Sequence, residues 1–367
     1  MGASLPAALC GDRADAVSSP LVSFVIPLYN CERYVEQSVR SALSQTVSAV
    51  EVVVVDDGST DNGTERVERI DDERVRLLKL GANHGQAAAI NSGVTAARGE
   101  YIALLGADDI ALPRRVERQV ALLARQPSLG MVASAYRVID CDGAPAYVWC
   151  GERRSLAIAW CLQWSNPIGA PTVMMRRSAA ERTGAFDTQL RCSEDLEYWG
   201  RMAAVAPILQ VSEVLTHYRV HPASLMRTSE PAELAETQIC AYGRTTRLLS
   251  GFTPSEKSLR LLAGLPTEPS VASLHGACHD LWALADGFTR RRQLDSAGRR
   301  LLASCVLTDL RGLARGNDCF RHEALRWGSR IVRDLSPSIL VAPAWMEFVA
   351  VLTAPRRVRL SVRRLRK

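Results

Sequence analysis

Three short polar clusters, each following an apolar run, are the parts of this 367-residue sequence best suited to chemistry. They are "PLYN" (27–30), "DDGSTD" (56–61) and "GADD" (106–109). A single acid pair after a strand is commonly a helix cap or a turn former. Three clusters in order indicate more, because ligands of open α/β sheets bind beyond the carboxyl ends of the strands. We therefore expect the clusters to meet at one sheet edge and to bind a ligand there.

The elements that must position these clusters are alternating strands and helices. The runs "LVSFVIPL", "VEVVVVDD", "VRLLKL" and "EYIALLGA" are typical of buried strands, and the helical spacing of Val35, Val39 and Leu43 indicates an amphipathic helix between the first two. This alternation predicts βαβ units and a largely parallel sheet covered on both faces. After a helix ending near Gln126, "GMVASAYRVID" and "CDG" predict an edge strand and a hairpin, so the sheet should become mixed.

The later part of the chain changes character near Glu230. Residues 155–220 should hold a helix, the strand "PTVMMRR", a helix starting near Glu194 and a closing extended segment. No strand pattern follows, and the Ala-, Leu- and Arg-rich stretch 231–334 predicts a helical appendage. The predicted organisation is a flexible tail, a main α/β domain, a helical domain and an apolar segment with a basic tail, over residues 1–20, 21–229, 230–337 and 338–367.

Charge and cysteine content exclude several classes of protein. The net charge is +6, but the last twelve residues carry seven positive charges and no acid, so nucleic-acid binding by the main body is not indicated. The ten cysteines form no CxxC pair, which argues against a zinc ribbon or a dithiol redox site and favours reduced, cytoplasmic thiols. Residues 1–20 lack the basic start and apolar run of a signal peptide.

The ordered motifs resemble those of glycosyltransferase family 2, from about Val22 to Ser224. The matching stretches are "VSFVIPLYNCERYVEQSVRSALSQT", "EVVVVDDGSTDNG", "NHGQAAAINSGVTAARGEYIALLGADDIALPRRVERQVALL", "SEDLEYWGRM" and "YRVHPASL". The resemblance implies a GT-A type fold, with a Rossmann-like, mixed, mostly parallel sheet flanked by helices. It also implies an inverting, metal-dependent glycosyltransferase of the hexosyltransferase type that takes its sugar from a nucleotide-sugar donor.

The resemblance assigns the donor nucleotide to the first two clusters. Pro27, Tyr29, Asn30 and Asp57 would contact its base and ribose, and a UDP-sugar is the commonest donor. A carboxylate can accept a hydrogen bond from a pyrimidine imide, and a tyrosine ring offers a stacking face. Simple core packing is the alternative for Tyr29.

A divalent metal, Mn²⁺ or Mg²⁺, is implied at the third cluster. Asp108 and Asp109 match the acidic motif of the family, with Asp109 on the metal and Asp108 on either the ribose or the metal. Oxygen ligands suit such hard ions, which stabilise a departing diphosphate. In "THYRVHPAS", His221 would approach the metal or the diphosphate and Arg219 a phosphate, although a structural histidine is the alternative.

The acid pair of "SEDLEYWGRM" supplies the acceptor side of the reaction. By the resemblance, Asp195 is the general base that removes the proton of the acceptor hydroxyl, and Glu194 supports it. Alternatively, the two acids simply favour a helix N-terminus. Trp199 either lines the acceptor pocket or simply packs against neighbouring residues.

Two positions depart from the family pattern, and one further spacing resembles a metal site. Many relatives have a third acid where this chain has Gly106, and an arginine where it has Ile90. We expect weaker metal binding rather than lost activity. His275, Cys278 and His279 have metal-ligand spacing on a helix, but no fourth ligand is evident and an ordinary half-buried helix explains them.

The C-terminal end suggests a membrane surface. The run "ILVAPAWMEFVAVLTAP" is too short and too interrupted to span a bilayer, and the arginine-rich tail that follows suits anionic lipid. A soluble, partly buried helix is the alternative. We expect a cytoplasmic enzyme, peripheral at the inner face of the plasma membrane.

The function predicted overall is transfer of a sugar to a hydroxyl of a glycan or lipid-linked acceptor, in cell-wall or surface-polysaccharide biosynthesis. A non-catalytic nucleotide-sugar-binding or scaffold protein of a polysaccharide assembly is the alternative. A nucleotidyltransferase is weaker, since it leaves "SEDLEYWGRM" and "YRVHPASL" unexplained.

Overall fold

The computed structural model describes residues 20–314, 321–336, 345–346 and 348–349. The predicted N-terminal tail and most of the apolar and basic C-terminal segment lie outside these residues. Two compact units are present: one includes residues 20–153, 168–198 and 205–229, and the other residues 154–167, 199–204 and the described residues from 230 onward. The helical unit thus takes in two segments from within the predicted 21–229 domain.

A nine-stranded mixed sheet in the described residues forms the first unit, with strand order β3-β2-β1-β4-β8-β6-β9-β5 and β7 paired to β6. The strands are β1 (Val22–Leu28), β2 (Val50–Asp56), β3 (Val75–Lys79), β4 (Tyr101–Leu104), β5 (Ile110–Ala111), β6 (Met131–Ile139), β7 (Pro145–Trp149), β8 (Met174–Arg176) and β9 (Ile208–Arg219). The first four pair in parallel, as predicted, so their carboxyl ends lie at one edge.

The helices also follow the predicted alternation. They are α1 (Val35–Leu43), α2 (Gly63–Glu68), α3 (Gln86–Ala96), α4 (Arg115–Arg125), α5 (Ser155–Cys161), α6 (Arg177–Thr183), α7 (Glu194–Val205), α8 (Leu225–Thr228), α9 (Pro231–Ser250), α10 (Glu256–Ala263), α11 (Val271–Arg292), α12 (Ser296–Ala314) and α13 (Arg321–Leu335). A short 3₁₀ helix, Ala170–Thr172, precedes β8. None of the helices within the described residues is long and apolar enough to cross a membrane.

The core of the first unit lies on both faces of the sheet. On one face, Phe24 and Ile26 belong to a buried cluster that includes apolar residues of α1 and α4. On the other, Val53 and Val55 cluster with Ala89 of α3. Burial on both faces explains why the strands read as continuous apolar runs.

The strand β6 corrects one prediction. It lies inside the sheet rather than at an edge, because β9 pairs along its whole length on one side. On the other side, β8 pairs near its start and β7 near its end. The predicted hairpin exists, since β7 returns antiparallel to β6. The strand is interior because β8 and β9, which come later in the chain, flank it.

Candidate active site

The loops that follow β1 and β2 are hydrogen-bonded to each other. Asn30 Oδ1 accepts a hydrogen bond from the Thr60 backbone N–H at 2.8 Å. Asp61 Oδ2 accepts one from the Glu32 backbone N–H at 2.7 Å. Asn30 has a φ of 47°, which asparagine tolerates better than most residues. Two of the three predicted clusters therefore form one continuous surface at the carboxyl ends of the strands.

Tyr29 and Pro27 lie at this same edge. Tyr29 is 50% exposed, which excludes the alternative that it packs in the core. Pro27 is half-buried near the end of β1. Both remain available to a ligand, and their contact with a nucleotide stays a prediction.

Asp57 organises the loop that precedes α3. The residue is 3% exposed, and its two carboxylate oxygens accept from the backbone N–H groups of His84 and Gly85, each at 2.8 Å. Gly58 follows with a φ of +75°, and a Cβ there would lie 2.6 Å from the Ala82 carbonyl carbon. This close approach brings the β2 and β3 ends together. Direct contact between Asp57 and a base stays a prediction.

The acid pair after β4 is held by the end of β9. Asp109 is 1% exposed, and its Oδ1 accepts from the Arg219 backbone N–H at 2.8 Å. Asp108 is half-buried, with its Oδ2 3.0 Å from His221 Nε2. Burial, together with the charge of Asp108, raises the pKa of Asp109 well above its ordinary value. The structure thus brings together four residues that were predicted from two separate motifs.

Gly106 lies beneath both carboxylates. A Cβ built on Gly106 would be 2.4 Å from Asp109 Oδ2 and 2.7 Å from Asp108 Oδ1. The two oxygens therefore converge over a space that any side chain at this position would occupy. A third acid at 106 would therefore require both carboxylates to move from these positions.

The Arg219 side chain is engaged within the protein. Its Nε donates to the Asp108 carbonyl oxygen at 2.9 Å, and its Nη2 donates to Gln37 Oε1 at 2.7 Å. The guanidinium also lies 4.6 Å from the centre of the Tyr34 ring. These contacts favour a positioning role for Arg219, with His221 beside it, since the Tyr34 and His221 rings are 5.1 Å apart. The predicted phosphate contact of Arg219 stays a prediction.

Arg115 supports the same loop from below, and the sequence pattern did not reveal it. The residue is fully buried and donates to the carbonyl oxygens of Leu104 at 2.9 Å and Val173 at 3.0 Å. Burial lowers the pKa of Arg115 to about 9, and the charge of Asp109 acts in the opposite direction. From the sequence, "RR" at a helix start indicates solvated charge, so only the fold reveals this buried cation.

The second acid pair opens α7. Glu194 is 3% exposed, whereas Asp195 is partly exposed, so Asp195 is the more accessible carboxylate. Gln86, at the start of α3, donates its amide N–H to Glu194 Oε1 at 3.0 Å. Burial and the charge of Asp195 raise the pKa of Glu194 to about 8. Gln86 thus connects the Asp57 loop to the acceptor-side acids, a link that spans 108 residues of sequence.

The remaining candidate residues, Trp199, Ile90 and His275, are buried or lie in the helical unit. Trp199 is fully buried, so it packs rather than lining a pocket. Ile90 is 4% exposed, so the position at which the resemblance leads one to expect arginine faces the interior here. His275 packs against the ring of Trp327, 5.3 Å away, in the helical unit.

The donor set of the acid pair fits a divalent ion only in part. Within the described residues, no group of three or more His, Cys, Asp and Glu side chains is arranged to hold a metal. Asp108, Asp109 and His221 are therefore not a self-sufficient site, and His221 serves as the hydrogen-bond partner of Asp108. The two oxygens above Gly106 do suit Mg²⁺ or Mn²⁺, since such ions complete their shell with substrate phosphates and water. Metal binding at Asp109 and Asp108 stays a prediction.

Comparison with known proteins identifies the family. The model of "Glycosyl transferase family 2" matches residues 23–184. Among relatives, Bacillus subtilis EpsE, itself named as a glycosyltransferase, is 33% identical over 192 residues, which cover 50% of this chain and 67% of EpsE. An uncharacterized glycosyltransferase of Haemophilus influenzae is 28% identical over 220 residues, covering 55% of this chain and 66% of that protein. The chain therefore belongs to glycosyltransferase family 2.

Solved structures agree on the fold. S. aureus TarS 1–349, determined in complex with UDP-GlcNAc, has a TM-score of 0.52 at 15% identity and covers 89% of this chain and 91% of its own. The mannosyltransferase PcManGT of Pyrobaculum calidifontis, determined with GDP-Man and Mn²⁺, has a TM-score of 0.50 at 18% identity and covers 94% and 88%. The predicted GT-A type fold is confirmed.

Proposed function

We propose that this protein is an inverting glycosyltransferase that moves a sugar from a nucleotide-sugar donor to an acceptor hydroxyl. One observation carries the proposal. Gln86 follows Gly85, whose backbone N–H binds Asp57, and its side-chain amide donates to Glu194 Oε1 at 3.0 Å, so the donor-side loop and the acceptor-side acid pair meet directly. Sugar transfer requires donor-side and acceptor-side groups to come together at one site in this way.

The three polar clusters form the donor side of the proposed site. Tyr29, Pro27 and Asn30 offer an exposed surface for the nucleotide, while Asp57 holds the adjoining loop. Asp109 and Asp108 would hold a divalent ion, which when bound stabilises the negative charge that grows on the leaving diphosphate. Nucleotide-sugar complexes of TarS and PcManGT, the latter with Mn²⁺, support this assignment by fold likeness.

The acceptor end depends on Asp195. Its carboxylate accepts the proton of the acceptor hydroxyl as that oxygen bonds to the anomeric carbon and the bond from this carbon to the diphosphate breaks. A single in-line displacement of this kind inverts the configuration. Glu194, with a pKa of about 8, is largely protonated at neutral pH and leaves the proton-accepting role to its neighbour.

Donor binding and transfer are tested separately. A thermal-shift screen of UDP-, GDP-, dTDP- and CDP-sugars, with and without Mn²⁺, should reveal one donor class that raises the melting temperature. Asp109→Asn should weaken that shift. Asp195→Asn should retain it and lower transfer by about 10²- to 10⁴-fold. The exposed Asp286→Asn, on α11, is the matched control and should change neither quantity.

Two results would overturn the assignment. Transfer at the wild-type rate in both Asp109→Asn and Asp195→Asn would exclude the proposed roles. Donor binding without transfer or hydrolysis, over a broad acceptor panel, would instead favour the nucleotide-sugar-binding scaffold.

The cellular role and location rest on the sequence alone. We infer a glycan or lipid-linked acceptor in cell-wall or surface-polysaccharide synthesis, and a cytoplasmic enzyme held at the inner membrane face by its arginine-rich tail. Deletion of residues 356–367 should weaken sedimentation with phosphatidylglycerol vesicles at low salt. Equal sedimentation of both proteins would contradict the membrane role.

A further inference from the structure

Four aromatic side chains share one face of β6, β7 and β9. Tyr136 is opposite Trp149 in the strand register, and their rings stack at 5.1 Å with an interplanar angle of 24°. The Tyr218 ring lies 5.5 Å from Tyr136 on the other side. Tyr147 lies beside an irregularity in the β6–β7 register, and its phenol contributes to the raised pKa of Tyr136. We call Tyr136, Tyr147, Trp149 and Tyr218 the aromatic face.

The aromatic face is partly open to solvent, and packing supports its inner rings. Tyr147 is 60% exposed, and the other three rings are half-buried. The backbone of Gly169 lies directly against the Tyr136 ring, since a Cβ there would be 2.7 Å from Tyr136 Cε1. Exposed rings that are fixed by packing lose little conformational entropy on binding a ligand.

This face begins beside Asp109 of the proposed donor-side acid pair. Tyr218 directly precedes Arg219, whose backbone N–H binds Asp109. The charge of Asp195 is also among those that act on the Tyr218 phenol. From Tyr218 the rings continue through Tyr136 to Trp149 on the outer hairpin. A ligand lying along the rings would extend away from the acids.

We propose that the aromatic face is the acceptor subsite and that its occupant is a carbohydrate, whose pyranose rings contact these side chains. The proposal rests on the proposed glycosyl transfer. Ring faces carry partial negative charge and attract the C–H face of a sugar, while phenol and indole groups can hydrogen-bond its hydroxyls. Three hydroxyls and one indole N–H suit a sugar better than a lipid chain. The acceptor would thus be recognised by its sugar rather than by its lipid.

The test measures sugar contact directly, independently of turnover. Saturation-transfer-difference NMR would be recorded with methyl β-glucoside, methyl β-galactoside and methyl N-acetyl-β-glucosaminide, in the presence of UDP and Mn²⁺. We expect at least one glycoside to receive saturation, strongest at its ring C–H protons. Tyr147→Ala and Trp149→Ala should weaken its binding by about tenfold. Val148→Ala is the matched control, because Val148 is 47% exposed on the opposite face of the same strand.

Each outcome of this experiment supports or contradicts a named proposal. Equal glycoside binding by Tyr147→Ala and Val148→Ala, or no binding of any glycoside by a wild-type protein that still binds a nucleotide-sugar, would overturn the subsite. Tyr147 is exposed, so its loss should leave the fold intact even if Trp149→Ala destabilises the hairpin. Absence of nucleotide-sugar binding would count against the proposed function instead, and the glycoside data would then judge the aromatic face alone.

Discussion

Gly106 has no side chain, and two carboxylate oxygens lie within 2.7 Å of where its Cβ would be. Gly106→Ala should therefore displace Asp108 and Asp109, because its Cβ would approach both within 2.7 Å. We expect the Mn²⁺-dependent thermal shift of the donor to fall, with binding weakened by about tenfold or more, since overpacking of this kind costs about 1–3 kcal/mol. Isothermal titration of the donor with Mn²⁺ measures the effect.

The control for this change is another glycine without a close neighbour. Gly243 is on α9, and a Cβ there would meet nothing within 4 Å. Gly243→Ala should leave donor binding unchanged and stabilise the protein by up to about 1 kcal/mol. Unaltered donor affinity in Gly106→Ala would show that the two carboxylates do not need this space.

Sequence reasoning at the residue scale predicted a role for groups whose type already suggests one. The acids Asp108, Asp109 and Asp195 follow strand ends or open a helix, and motif order is enough to single them out. Arg115 and Gln86 were not identifiable, because their partners are carbonyl oxygens and a carboxylate far along the chain. Only the folded structure shows which long-range partner an ordinary arginine or glutamine meets.

At the scale of elements, a hydrogen bond from a tryptophan to a carboxylate joins α5 and α12 of the helical unit. Trp160 Nε1 donates to Asp309 Oδ2 at 2.8 Å. Desolvation raises the pKa of Asp309 to about 7, although the residue as a whole is only half-buried. The folded state therefore binds an additional proton between pH 3.8 and about 7.

This raised pKa predicts the sign of a pH dependence. The stabilising contribution is complete below the unfolded pKa and is lost as pH rises through about 7. Between pH 5 and 8.5 the free energy of unfolding of the wild type should fall by about 1–3 kcal/mol, after allowing for partial exposure. Its melting temperature should fall accordingly. Asp309→Asn should flatten this slope and exceed the wild type at pH 8.5, as followed by circular dichroism.

An exposed carboxylate with a similar partner provides the control. Asp334 Oδ2 accepts from Trp282 Nε1 at 3.0 Å, in an exposed position. Asp334→Asn should keep the wild-type slope. If the melting temperature of Asp309→Asn still falls with pH as in the wild type, another titratable group causes the pH dependence.

Strand and helix positions were largely predictable, whereas strand order was not. The apolar runs of β1 to β4 and the helical spacing between them are local signals. The interior place of β6 depends on pairing with β8 and β9, which follow it by dozens of residues. Periodicity contains no information about which strand will pair with which.

At the scale of the whole molecule, the helical unit incorporates chain from within the α/β region. Trp160, from the segment 154–167, is 1% exposed and packs edge-on against Phe288 of α11, 5.4 Å away. A protein ending at residue 229 would retain Trp160 without this partner. Loss of an aromatic partner in a core costs about 3–5 kcal/mol.

We therefore expect the fragment 20–229 to be poorly folded, despite containing the sheet and every proposed site residue. Binding of the dye ANS and loss of near-ultraviolet circular dichroism would report the exposed apolar surface. The matched comparison is a chain ending at residue 336, which keeps α9 to α13. A fragment 20–229 that unfolds cooperatively at the wild-type temperature would contradict this expectation.

The hydrogen bonds between the β1 and β2 loops have a consequence for ligand binding. Asn30 with Thr60, and Glu32 with Asp61, are paired by the protein itself. The surface that would meet the nucleotide is therefore ordered before any donor arrives, and donor binding need not restrict these loops further. Donor binding at this edge should therefore carry little of the unfavourable conformational entropy that accompanies loop closure.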